Sequence, residues 1–82
     1  MKITVYVLAS LNDGTLYIGI TKNLEQRLHQ HNAGYNRSTK HKAPYRIILT
    51  EEHATYIEAR QREKYLKSGC GREFIKKYAG MV

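Results

Sequence analysis

The chain has 82 residues, 41% of them apolar, and carries fourteen Lys and Arg against seven Asp and Glu, a net charge of +7. That length predicts a single domain over residues 1–82 with a thin core, since a domain of this size buries only about 60% of the surface its unfolded chain exposes. No apolar run is long enough to cross a membrane, MKITVYVLAS lacks the apolar block of a signal peptide, and a lone Cys70 forms no internal disulfide, so a cytoplasmic location is expected.

Residues 3–9 alternate, with Ile3, Val5, Val7 and Ala9 on one side and Thr4, Tyr6 and Leu8 on the other, which predicts a strand. Asp13-Gly14 then signals a tight hairpin into a second strand over 15–20. A loop of two or four residues makes the numbers of opposed residues sum to an odd value, such as Tyr6 with Gly19 and Leu8 with Tyr17. The two phenols then share a face, with Gly19 leaving a gap beside them.

A helix follows almost at once. Asn23 and Gln26 resemble a capping box, Leu24 and Leu28 form an apolar pair four apart, and Arg27 and His31 form a second stripe beside it. Gly34 is the predicted stop. The segment YNRSTKHKAP leads into a third strand, YRIILT, and holds Arg37, Lys40 and Lys42; with Arg46 these make an acid-free basic stretch suited to phosphate. Residues 37–82 carry +6 of the net charge, and seven of the eight aromatic residues are Tyr, so nucleic acid is the expected partner. Glu51 and Glu52 at the end of the third strand read as solvated.

Thr55 and Glu58 predict a capped second helix to about Ser68, Gly69 and Gly71 a break, and REFIKKY a short last helix with Phe74, Ile75 and Tyr78 available for packing. Cys70 shows no base or cationic neighbourhood that would make it reactive. The order β-β-α-β-α-α gives an α+β class with a small antiparallel sheet flanked by helices.

Four positions on the second helix, Tyr56, Ala59, Glu63 and Leu66, follow the spacing of a buried face. An inward carboxylate costs several kcal/mol unless it is paired or holds a cation. Two readings stay open: an ion pair of Glu63 with Arg27 or Arg60, or a single carboxylate ligand for a divalent metal such as Mg²⁺. His29 and His31, two apart, point to different sides of a helix and cannot share a metal. Arg27 and His31 beside two tyrosines suit phosphodiester hydrolysis, which needs charge stabilisation and proton transfer in one place.

Thr4-Val5-Tyr6, Tyr17-Ile18-Gly19, Arg27, His31 and Glu63, with GITKNLEQRLHQHN and REKYLKSG, resemble the GIY-YIG nuclease superfamily, most of all its short stand-alone bacterial YhbQ-like branch. Thr4 stands where the name's first glycine would be, and Ile20 where some members carry a lysine after the second motif. The resemblance implies a three-stranded antiparallel sheet flanked by helices and an endonuclease using one divalent ion, Mg²⁺ or Mn²⁺. By position it makes Tyr17 the general base or proton relay, Tyr6 a positioner of water and phosphate, Arg27 the phosphate holder, His31 part of the proton network and Glu63 the metal ligand. Gly19, Arg37, Lys40, Lys42 and Arg46 complete the expected nucleic-acid-binding set. An ordinary phenol, with a pKa near 10, is a poor base at neutral pH and needs positive charge or a histidine beside it. DNA is the favoured substrate, with cutting directed by its shape or by a protein partner, and DNA repair is the expected setting. The alternative is a nucleic-acid-binding module of the same fold without cleavage.

Overall fold

A computed structural model describes residues 2–33 and 44–80. Gly34, Arg37, Lys40 and Lys42 lie outside the described residues. The elements run β1 (Ile3–Ser10), β2 (Leu16–Thr21), α1 (Leu24–Asn32), β3 (Tyr45–His53), α2 (Tyr56–Lys67) and α3 (Gly69–Gly80). The three strands form one antiparallel sheet in the order β2-β1-β3, giving the expected α+β architecture.

The central strand explains the layering. Ile3, Val5 and Val7 face one way and pack with Ile18, Leu49, Ala59, Leu66 and Ile75, so α2 and α3 cover that side. Tyr6 and Leu8 face the other way and pack with Tyr45, Tyr17, Leu24 and Leu28, so α1 covers the opposite side. A strand covered on both faces reads as apolar at nearly every position, as β1 does.

The hairpin adopts the odd-sum register, with Tyr6 opposite Gly19 and Leu8 opposite Tyr17. Its loop is held by Ser10, whose backbone N–H donates to the Thr15 carbonyl at 2.9 Å and whose Oγ accepts from Asn12 and Asp13. Gly14 sits at φ 75°, a conformation that costs other residues a Cβ clash.

The β1–β3 ladder contains a bulge. Val7 pairs with Leu49 but Leu8 pairs with Ile47, so Ile48 is an extra residue on β3. One extra residue inverts the side-chain alternation beyond it. Leu49 therefore packs under α2 and α3, whereas Tyr45, of the same parity, packs on the α1 side.

Both predicted caps form: Asn23 Oδ1 accepts from the Gln26 N–H at 3.1 Å, and Thr55 Oγ1 from the Glu58 N–H at 3.2 Å. Three expectations need correction. The glycines do not keep the last helix short, because Ser68 caps it: its carbonyl accepts from the Arg72 N–H and its Oγ from the Gly71 N–H, so α3 starts at Gly69. Gly71 is required by proximity, since a Cβ there would meet the Tyr65 carbonyl oxygen and the Leu66 backbone. Tyr56 is 53% exposed, lying in the first turn of α2 beyond the sheet, with the Arg60 guanidinium over its ring. Glu51 is not solvated: Arg62 Nε and Nη2 donate to its two carboxylate oxygens at 2.8 and 3.0 Å. The same guanidinium lies 5.0 Å from the Tyr65 ring and 5.1 Å from the Phe74 ring, linking β3, α2 and α3. Glu52 does face solvent, 3.7 Å from Lys2. No helix among the described residues is long and apolar enough to cross a membrane.

Candidate active site

The junction between β2 and α1 is only two residues long, and its hydrogen bonds fix the helix to the strand. Thr21 Oγ1 accepts from the Asn23 N–H at 3.1 Å and donates to the Asn23 carbonyl at 3.2 Å, while the Asn23 side chain caps the helix. Leu24 and Leu28 anchor α1 on the Tyr6–Leu8 face of the sheet. Arg27 and His31, one turn apart, are thereby carried over the phenols.

Gly19 decides where the Tyr6 ring lies. A Cβ at position 19 would sit 2.7 Å from Tyr6 Cζ, so the ring rests directly on the glycine backbone across the strand pair. The Tyr17 ring is stacked beside it at 6.3 Å, and the His31 ring meets Tyr17 edge-on at 4.5 Å and Tyr6 at 6.1 Å. Tyr6 and His31 are each 1% exposed, whereas Tyr17 is half-buried and reaches the surface.

The polar contacts follow from what each group can donate. Arg27 has no acceptor, so its Nε–H donates to Tyr6 Oη at 3.4 Å. Tyr6 Oη lies 3.3 Å from His31 Nε2 and has one proton to give. Burial, the largest influence, raises the Tyr6 pKa above its usual value, against the lowering effect of the Arg27 hydrogen bond. Burial also lowers the His31 pKa, helped by the nearby Arg27 charge, so the imidazole is neutral at pH 7 and its Nε2 can accept. The Arg27 pKa is raised, chiefly by the hydrogen bond to Tyr6, with the nearby Tyr17 phenol contributing. Arg27 thus lies between both phenols and also donates from Nη1 to Gln30 at 3.3 Å.

Glu63 arrives from the other side of the sheet. Because β2 is an edge strand, α2 reaches round it, and a cleft of about 400 Å³ runs along that edge. Tyr6, Tyr17, Gly19, Arg27 and Glu63 all line it, with His31 directly behind Tyr17. The five residues therefore converge round a strand edge rather than on one face. Glu63 pairs with neither Arg27 nor Arg60 among the described ion pairs; its carboxylate accepts from Lys67 Nζ at 3.2 Å, one helical turn on. Lys67 and Arg72 also line the cleft, and sequence reasoning passed over both. The spacing of four between Glu63 and Lys67 was the available signal for the first; nothing in the sequence marks Arg72.

The donors suit a hard divalent ion in an open site. Glu63 is the one acid among the described residues lining the cleft, and Mg²⁺ or Mn²⁺ is commonly held by one or two carboxylates with water and substrate phosphate completing the shell. No group of three or more His, Cys, Asp or Glu side chains able to hold a metal occurs among the described residues, so a closed zinc site does not fit. Arg46 is not brought to this cleft. It pairs opposite Ala9 on β3 and lines a separate small groove with Ile47, Ile48 and Ala79.

The model of the GIY-YIG catalytic domain matches residues 2–79 of this chain. A UPF0213 protein of Natronomonas pharaonis is 42% identical over 65 residues, covering 78% of this chain and 75% of its own length. A UPF0213 protein of Staphylococcus epidermidis is 33% identical over 73 residues, covering 88% of both. The solution NMR structure of a UPF0213 protein from Bacillus halodurans superposes with a TM-score of 0.57 at 28% identity, covering 94% of this chain and 84% of the other.

Proposed function

The chain belongs to the GIY-YIG family, and from that premise we propose that it is an endonuclease hydrolysing phosphodiester bonds in DNA or structured nucleic acid with one Mg²⁺ or Mn²⁺ ion. The observation that carries the proposal is the single cleft in which two phenols, a guanidinium and a carboxylate meet at one strand edge.

The parts divide the work by their surroundings. Tyr6, buried and held protonated, is the fixed point: it accepts from Arg27 and shares a hydrogen bond with His31 Nε2, setting the position of both. Tyr17, the phenol that reaches the cleft surface, acts as its phenolate, first losing its own proton to solvent and then taking the proton of the attacking water to become the neutral phenol again. His31, edge-on to its ring, supports that transfer from behind. Arg27 holds the scissile phosphate and places permanent positive charge beside the phenol that acts as base. Glu63 would hold the ion, and Lys67, which pairs with it here, would then be available to phosphate. When bound, the ion supplies charge to stabilise the phosphorane-like transition state and a site for water.

A second reading, a nucleic-acid-binding module without cleavage, is supported by one contact, the Lys67–Glu63 pair, which already satisfies the carboxylate. The test is cleavage of linear, branched, flapped and single-stranded substrates by purified protein with Mg²⁺, with Mn²⁺ and with chelator. Metal-dependent cutting supports the nuclease; binding with no cutting of any substrate supports the module.

A further inference from the structure

The active-site cleft continues into a second groove. Glu63 and Lys67 line both, and the second is completed by Arg60, Gln61 and Lys64. Arg60, Glu63, Lys64 and Lys67 fall at i, i+3, i+4 and i+7 of α2, the spacing of one helical face. Arg72, from the first turn of α3, extends the row on the cleft side. Arg60, Lys64, Lys67 and Arg72 are all exposed, and Glu63 is the one acid on this face. The remaining cation of α2's middle, Arg62, points elsewhere and is committed to Glu51. Among the described residues no acid lies within ion-pairing distance of Arg60, Lys64 or Arg72.

We infer that this face of α2 and the start of α3 is the track along which the backbone of duplex DNA is led into the cleft. The inference rests on the nuclease reading for its end point, and on the charge layout for its path. Arg60 and Lys67 are seven residues apart, about 10 Å along the helix. Measured along the duplex axis, that length covers about three phosphates of one strand at roughly 3.4 Å of rise each. Repeated cations at that spacing beside a polyanion give contacts without base reading, as suits a small domain that presents few groups to a groove. Arg46, the one residue of the expected basic stretch among those described, lies towards the other edge of the sheet and lines a separate groove.

The test compares two variants that lose equal charge. Arg60→Gln/Lys64→Gln removes two track cations; Lys76→Gln/Lys77→Gln removes two exposed cations of α3 outside both grooves. Binding to a duplex DNA of about 20 base pairs is measured in chelator across a salt series, with circular dichroism to check folding. Each lost phosphate contact makes the log–log salt slope shallower by about 0.9, so the track variant is expected to lose about 1.8 in slope and roughly 30-fold in affinity near 0.15 M salt. The control should lose markedly less. Equal losses in the two variants, or no binding of duplex DNA by the parent protein, overturn the inference. Absence of metal-dependent cleavage alongside unequal losses removes the nuclease reading and leaves the track standing.

Discussion

At the scale of single residues, the site is built by burial as much as by charge. His31 is enclosed by Tyr6, Tyr17 and Tyr45, and that enclosure keeps its imidazole neutral and able to accept from a phenol. A histidine whose folded pKa lies below the unfolded value makes stability depend on pH in a definite direction. Above about pH 6.5 both states hold it neutral and its contribution is fully present. Below that value the unfolded chain takes up a proton the folded chain resists, so stability falls with pH towards the depressed value of the folded state. Thermal melts at pH 7.5 and 5.5 should show a larger drop for the parent protein than for His31→Gln, which lacks the depressed imidazole. Parallel drops would mean that His31 is protonated as readily in the fold as in the open chain.

At the scale of elements, glycines separate by what they touch. Gly71 is pressed against the end of α2, whereas a Cβ on Gly69 meets nothing within 4 Å. Gly71→Ala should cost about 1–3 kcal/mol through overpacking, and Gly69→Ala should be neutral or stabilising by up to about 1 kcal/mol. Denaturant unfolding of the two variants checks the difference; equal effects would contradict the close α2–α3 contact. Sequence alone treats these glycines alike, because both look like helix breakers until the Ser68 cap is seen. The hairpin was legible, since Asp13-Gly14 and strand alternation fix the register that sets Tyr6 over Gly19. The bulge at Ile48 was not: alternation along β3 gives no sign of an inserted residue, yet it is what turns Tyr45 towards His31. The Glu51–Arg62 pair was missed for a related reason, because it joins residues of different elements whose facing depends on packing. Tyr6, Tyr17, Arg27 and Glu63 stood out in the sequence one by one, but their meeting round the β2 edge, with Lys67 and Arg72 among them, needed the relative placement of α1 and α2.

At the scale of the whole molecule, the sheet separates two chemistries and its β2 edge joins them. The phenols, Arg27 and His31 lie on the α1 side, the carboxylate and its cations on the α2 side, and the cleft is where the two layers meet. Glu63 is the acid of that meeting point, and metal-dependent cleavage by Glu63→Gln probes its role. The change keeps size and removes the negative charge. Its pair with Lys67 is a helical i,i+4 contact with a half-exposed lysine, so losing it should cost no more than about 0.5 kcal/mol and leave the melting temperature nearly unchanged. Binding of DNA in chelator should hold or strengthen, since one repulsive carboxylate is gone from a basic face. Cleavage with Mg²⁺ on saturating substrate should fall roughly 100-fold or more, the loss expected when several kcal/mol of transition-state stabilisation disappear. A Glu63→Gln protein that folds, binds and cuts at the parent rate would contradict the assignment of this carboxylate to the metal, and with it the proposed chemistry of the cleft.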